Sequence, residues 1–155
     1  MPSATSSRSG PRIVILVGLP GSGKSTWLAQ QGIVPISSDS IRRLLADDPT
    51  DQSIHARVFA TMRYLLRQRL AIGRPVSYLD ATHLTVEERA PYRKIAEWFG
   101  CEMEAVYFEV PVEVCRERNR RRQRVVPQEA IEAMAAKLVP PSEGEGFSRI
   151  TVVGY

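Results

Sequence analysis

Ile13-Val14-Ile15-Leu16-Val17-Gly18-Leu19-Pro20-Gly21-Ser22-Gly23-Lys24-Ser25 carries the strongest structural signal in the chain. Its first five residues are apolar and mostly β-branched, which predicts a strand buried on both faces. The run passes directly into Gly18-x₄-Gly23-Lys24-Ser25, and Thr26 to Gln31 then reads as a helix stopped by Gly32. Strand, glycine-rich loop and helix form the setting in which this spacing cradles the phosphates of a nucleotide. The glycines let backbone N–H groups turn inward, and the helix N-terminus adds its positive end. Candidate nucleotide-binding residues are therefore Gly18, Gly21, Ser22, Gly23, Lys24, Ser25 and Thr26. In such loops the lysine neutralises β/γ oxygens and the hydroxyl after it ligates magnesium, so ATP and Mg²⁺ are expected.

Around this core, strands and helices alternate. Ile33 to Ile36 reads as a short strand whose Pro35 suits a sheet edge or the strand's first residues. Asp39 to Leu45 and Ile54 to Ile72 read as helices, the second with apolar Val58, Met62, Leu65, Leu66 and Leu70 at helical spacing. Val76 to Asp80 is a third strand. Thr85-Val86-Glu87-Glu88 is a capping box opening a helix that ends at Gly100. Met103 to Glu109, a helix from Pro111, a helix over Pro127–Leu138 and a strand at Ile150–Val153 follow. The alternation predicts an α/β fold, a parallel sheet with helices on both faces. In such sheets ligands bind beyond the carboxyl ends of the strands. Asp39, Asp80 and the glycine-rich loop all follow strands, so they should face one crevice.

The chain has 155 residues, 43% hydrophobic and 25% charged, which are globular values. Its formal net charge of +4 permits a phosphate-rich partner. Residues 1–11, rich in Ser, Pro and Gly, are expected to be a flexible tail, and residues 12–155 a single domain. Cys101 and Cys115 lack metal-ligand spacing and are too few for a disulfide framework, which fits a reducing compartment. The longest apolar run, Ile13 to Val17, is far too short for a membrane span or a signal peptide, so a cytoplasmic protein without a membrane partner is expected.

Several residues outside the loop invite chemical roles. Asp39 could accept the proton of a substrate hydroxyl, or it, Ser38 or Ser40 could cap the helix. Arg42, three residues on, shares its helix face and could clamp an anionic substrate, whereas Arg43 faces elsewhere. Asp80 closes an apolar strand where a carboxylate could hold magnesium or orient the acceptor, or simply form a turn. Thr82 and His83 adjoin it as candidate substrate contacts, although a lone loop histidine is more often merely exposed. Arg116, Arg118, Arg120, Arg121, Arg122 and Arg124 crowd into nine residues. That density suggests an arginine-bearing lid over the transferring phosphoryl group, with one or two arginines touching phosphate, beyond what a solvated helix face needs.

With these residues in place, the chain resembles the 5′-hydroxyl polynucleotide kinases, in particular the kinase domain of phage and bacterial end-healing enzymes. The likeness runs from about Ile13 to Leu138. It rests on Gly18 to Trp27, on Ser38-Asp39-Ser40-Ile41-Arg42, on Asp80-Ala81-Thr82-His83-Leu84 with Glu88-Arg89 after it, and on Arg118 to Arg122 through Val126-Pro127. The resemblance implies a P-loop NTPase fold, with Lys24 and Ser25 on ATP and magnesium and Asp39 as general base for a 5′-hydroxyl. It puts Arg42 on the neighbouring phosphate, Arg122 as the lid arginine and Arg118 among the nucleotide contacts. Aligned on Thr82, Ala81 stands where the family has aspartate, and His83 replaces its asparagine. The partner implied is a nucleic-acid 5′ end, RNA or DNA. A kinase of a small hydroxyl compound and a regulatory ATPase are the competing readings. The second of these has no use for an acceptor base such as Asp39.

Overall fold

In the computed structural model, which describes residues 10–121 and 126–155, five parallel strands form one sheet. They are β1 Arg12–Val17, β2 Ile36–Ser37, β3 Val76–Asp80, β4 Glu102–Phe108 and β5 Arg149–Val153, in the order β2-β3-β1-β4-β5. Six α-helices lie among the described residues: α1 Lys24–Gln31, α2 Ser38–Ala46, α3 His55–Ala71, α4 Val86–Phe99, α5 Val112–Arg120 and α6 Gln128–Lys137. The parallel sheet follows from the alternation read in the sequence. The expected tail over residues 1–11 lies outside the described residues except for Gly10 and Pro11.

β1 is central, flanked by β3 and β4, with Ile15 opposite Leu79 and Val17 opposite Tyr107. Alternate strand residues point to opposite faces. Ile13, Ile15 and Val17 join Val58, Met62, Leu66 and Tyr92 of α3 and α4 in one cluster. Val14 and Leu16 pack on the other face with Leu28 of α1 and with Val106 and Phe108. Both faces are therefore covered, which is why the strand reads as an unbroken apolar run. On α3, Val58, Met62, Leu66 and Leu70 make a buried stripe at four-residue spacing, while Leu65, expected with them, is exposed.

β2 does occupy the edge, as Pro35 predicts, but it spans only two residues. Ile33 N–H is spent on the Leu28 carbonyl at the end of α1, Val34 is 94% exposed, and proline has no N–H to pair. The expected start of this strand at Ile33 is thus taken by the helix stop.

Thr85 caps α4, its hydroxyl accepting from Glu88 N–H. The Glu88 carboxylate reaches one residue further back than a capping box requires, accepting from Leu84 N–H at 2.8 Å. Next to it, Arg89 is almost wholly buried. Its guanidinium donates to both carboxylate oxygens of Glu145, at 2.8 and 3.0 Å, and to the His83 carbonyl at 2.8 Å. Burial alone would raise the Glu145 carboxyl, but hydrogen bonds from Arg89 and Ser142 outweigh it and hold it below the ordinary carboxylate range.

Removing one partner of a buried ion pair leaves the other charge desolvated. Arg89→Ala is therefore expected to lower the unfolding free energy by about 3–5 kcal/mol, read from urea denaturation of the purified chain. A change within experimental error would show that this network is peripheral to the fold.

Candidate active site

The carboxyl end of the sheet opens into a cavity of about 1130 Å³. Gly21, Ser22, Gly23, Lys24, Ser25 and Thr26 line one side of it, and Asp39, Arg42, Asp80 and Thr82 line another part of the same space. The sequence-predicted residues among those described are thus brought together, Arg118 included, with two exceptions, Gly18 and His83.

The loop is built by close approach. Gly21 has φ 83°, and a Cβ there would fall 2.5 Å from the Cys115 carbonyl. Gly18 does not line the cavity, because it forms the root of the loop. Its N–H donates to the Thr82 carbonyl at 3.0 Å, and a Cβ would meet Ser22 Oγ at 2.7 Å. Lys24 Nζ donates to the carbonyls of Gly18 and Leu19 at 2.8 and 2.9 Å, which folds the ammonium back over the loop. The Ser22 hydroxyl is buried and has no hydrogen-bond partner among the described residues. α1 carries no acidic residue in its first turn, and no side chain caps it. An anion seated in this cradle would meet an orphaned hydroxyl, uncapped N–H groups and a lysine, so the residues fit a nucleotide phosphate chain.

For magnesium, Ser25 and Asp80 line the same cavity. Among the described residues no group of three or more His, Cys, Asp or Glu side chains is placed to hold a metal. A hydroxyl and one carboxylate fit the form in which Mg²⁺ is usually bound, completed by nucleotide phosphates and water.

The wall that carries Asp39 begins at Ser37, whose hydroxyl accepts from Ser40 N–H at 3.2 Å and caps α2. None of the three cap candidates read from the sequence fills that position. Ser37 was missed because it is also the last residue of β2, where it lies in register with Asp80. Asp39 is left as the second helical residue, with a side chain 47% exposed. Arg42 is its opposite: the residue is 5% exposed, Nη1 lies 3.5 Å from Asp39 Oδ1, and buried Nε has no hydrogen-bond partner among the described residues. Arg43 is exposed, as its place on the helix predicts.

His83 corrects an expectation. It is neither exposed nor a cavity residue but 1% exposed, with φ 48°. Nδ1 lies 2.7 Å from the Leu16 carbonyl and Nε2 lies 3.1 Å from the Tyr92 hydroxyl. A carbonyl only accepts, so Nδ1 carries the proton and Nε2 accepts from tyrosine. Both nitrogens are occupied, and a substrate contact is sterically closed. Burial pushes the His83 pKa down to about 4; the Leu16 bond opposes this, and the charges of Lys24 and Arg89 add to it.

The arginine cluster divides. Arg118 lines the cavity, with Nη1 3.4 Å from the Gly21 carbonyl and its guanidinium 5.7 Å from the Tyr155 ring centre. Arg116 pairs with Glu132 of α6, and Arg120 and Arg121 pair with Glu117. Arg122 and Arg124, including the expected lid arginine, lie outside the described residues. Asn119 is buried and bonds Val126 through both its carboxamide atoms.

Sequence reasoning missed His55 and Phe59 of α3 as cavity residues; with Arg63, one turn further on, they line this space. Their four-residue spacing was visible, but it lies beside the stronger apolar stripe that defines the helix.

With this geometry in hand, comparison with known proteins is informative. The profile of a family described as an AAA domain matches residues 13–141. A bifunctional polynucleotide phosphatase/kinase of Schizosaccharomyces pombe is 26% identical over 148 residues, 92% of this chain and 33% of the relative. The chain thus spans about a third of the length of the curated relative it matches. Among solved structures, the Pnkp1/Rnl/Hen1 RNA repair complex contains a chain with TM-score 0.69 and 22% identity, matched over 83% of this chain and 44% of that one. A gluconokinase from Sinorhizobium meliloti 1021 gives TM-score 0.58 and 21% identity over 94% of this chain and 82% of its own. These two likenesses are likenesses of fold. Among the described residues no helix is long and apolar enough to cross a membrane.

The buried histidine makes a solution prediction. With a native pKa of about 4 against an ordinary 6.5, the unfolded chain binds a proton between those values that the native chain refuses. Stability is therefore expected to fall as pH drops from 6.5 towards 4. In His83→Asn the slope of unfolding free energy against pH in that window should shrink by up to about 1.4 kcal/mol per pH unit, one proton's worth. An unchanged slope would mean that His83 does not hold its proton balance by burial.

Proposed function

The chain belongs to the AAA-domain family whose profile it matches over residues 13–141, and from that premise we propose that it is an ATP-dependent phosphotransferase acting on the 5′-hydroxyl of a polynucleotide. The observation that carries the proposal is the pairing of a half-exposed carboxylate, Asp39, with a buried arginine, Arg42, on the cavity that the phosphate loop lines.

In this reading the acceptor hydroxyl attacks the γ-phosphorus and its proton passes to Asp39. A new O–P bond forms, the bond from phosphorus to the β–γ bridging oxygen breaks, and ADP leaves with the electron pair. Lys24 turns from the Gly18 and Leu19 carbonyls to the phosphates, and Ser22 gains the partner it lacks. Ser25 and Asp80 would hold a magnesium ion that neutralises charge on the phosphates. Arg118 contributes a further positive charge at the loop.

Arg42 supports a nucleic-acid acceptor. A buried guanidinium has no partner in a neutral sugar, but its planar fork matches a phosphodiester. The name of the Schizosaccharomyces pombe relative points the same way. A regulatory ATPase would leave Asp39 without a task. A small-hydroxyl kinase remains the outcome if the acceptor experiment below fails.

Asp39→Asn is nearly isosteric and cannot take a proton. It is expected to lower kcat by about 100-fold or more with KM for ATP little changed, because a base acts in the transition state. A variant that merely melts earlier at full kcat would make Asp39 a structural residue.

The acceptor is tested by comparing kcat/KM for a nucleoside, a nucleoside 3′-monophosphate and a short 5′-hydroxyl oligonucleotide. The two phosphate-bearing acceptors are expected to be preferred by about tenfold or more, and Arg42→Ala should erase that preference. Equal use of all three by the unaltered chain would remove the nucleic-acid assignment.

A further inference from the structure

The cavity extends past Asp39 and Arg42 to a wall that neither the phosphate loop nor the proton transfer uses. α3 builds it. His55, Phe59 and Arg63 recur every four residues and line the cavity, while Val58, Met62, Leu66 and Leu70 hold the same helix to the core. The His55 and Phe59 rings lie 4.7 Å apart between centres at 40°, near enough to present a continuous aromatic surface.

The surface is fixed from behind. Phe59 packs partly against the main core, and its ring meets the buried His83 ring at 6.3 Å and 79°. His83 in turn meets Tyr92 edge to face at 5.2 Å and is pinned by its bonds to Leu16 and Tyr92. A rigid backing of this kind lowers the ordering cost of anything that stacks on the exposed side. His55 itself is exposed, and Phe59 is only partly buried.

We propose that His55 and Phe59 form a stacking platform for the nucleobase of the acceptor's terminal nucleotide, a binding subsite beside the reacting hydroxyl. The proposal rests on the polynucleotide reading above. Flat π-faces take a base of any identity, because every base has a π-face of its own. The cations nearby suit what accompanies a base in a nucleic acid. Arg42 has a buried Nε without a hydrogen-bond partner among the described residues, and Arg63 lies one helical turn beyond Phe59 on the same wall. A base on the rings with phosphates near Arg42 and Arg63 fits this distribution; a neutral metabolite leaves the two arginines unanswered.

The test uses the full chain and two 5′-hydroxyl trinucleotides that differ only at the 5′ residue, one bearing adenine and one an abasic tetrahydrofuran. The unaltered chain should favour the adenine-bearing end by about tenfold in kcat/KM. In Phe59→Leu and in His55→Ala the advantage should fall below about threefold, by loss on the adenine-bearing end. A second readout needs no catalysis: 2-aminopurine at the 5′ residue should be quenched on binding the unaltered chain and recover in the variants. Should Phe59→Leu fail to fold, His55→Ala, changed at an exposed position, decides alone. Equal phosphorylation of both ends, or quenching untouched by the substitutions, overturns the platform while the kinase assignment stands. No phosphorylation of either trinucleotide, with transfer to a small acceptor instead, overturns both.

Discussion

Everything at the carboxyl end of the sheet depends on how the end of β1 is tied to the turn after β3. Two hydrogen bonds make the tie: Gly18 N–H to the Thr82 carbonyl, and the His83 ring to the Leu16 carbonyl. Together they fix where the strand stops and the phosphate loop begins, at the point where two parallel strands have run out of partners for their last groups. His83 adopts φ 48° to do this, a conformation that costs on the order of 1–3 kcal/mol in a non-glycine residue. Its burial among Leu16, Tyr92 and Phe59 offsets that cost. Because β2 pairs with β3 at Ser37 and Asp80, the same tie sets the start of α2 relative to the loop. Asp39, Asp80 and Lys24 therefore reach one cavity through strand pairing and this tie, in which His83 is the one side chain named.

A second layer of buried polar bonds supports the first. Arg89 bonds the His83 carbonyl and spends the rest of its guanidinium on Glu145, which connects the turn after β3 to the segment leading into β5. On the opposite side, Cys115, Leu19 and Leu84 share a small cluster to which α6 contributes Met134 and Ala135. The phosphate loop is thus held between the β3 turn and α5, and Gly21 is the point where no side chain fits. Arg118 is delivered to the loop by that α5 packing. Arg116, two residues earlier, faces away and ties α5 to α6 through Glu132.

Much of this was legible in the sequence wherever a local pattern and the tertiary structure demand the same residue. The β1 run is unbroken because both faces are covered. β3 was read with its observed bounds, and Thr85 caps α4 as its spacing predicts. The misreadings share a cause. Ser37 serves two elements at once, so neither strand nor cap patterns single it out. His83 looks like an ordinary loop histidine, since only contacts from Leu16, 67 positions away, and from Tyr92 show that it is buried. Leu65 fits a helical stripe by spacing but falls on the wrong side of it. His55 and Phe59 were passed over because a helix has two faces, and the sequence identifies the core face more loudly. Arg69 donates to Ser77 Oγ and the Val76 carbonyl and is spent on the fold.

In the proposed reaction, binding and chemistry meet in the contact between Asp39 and Arg42. A nearly buried guanidinium is costly unless its charge is answered, and here the answer is a carboxylate at 3.5 Å that is itself half in solvent. That leaves Arg42 under-satisfied, its Nε idle among the described residues, and leaves Asp39 partly committed to it. An acceptor carrying a phosphate supplies the second anion that the guanidinium wants. The arginine can then divide its donors, and the carboxylate is released towards the hydroxyl whose proton it must take. An acceptor without that phosphate finds the base still held by its neighbour. Affinity for the acceptor's phosphate and readiness of the base are, on this geometry, consequences of one interaction, which is how binding energy from a group that does not react can appear in the rate of the one that does.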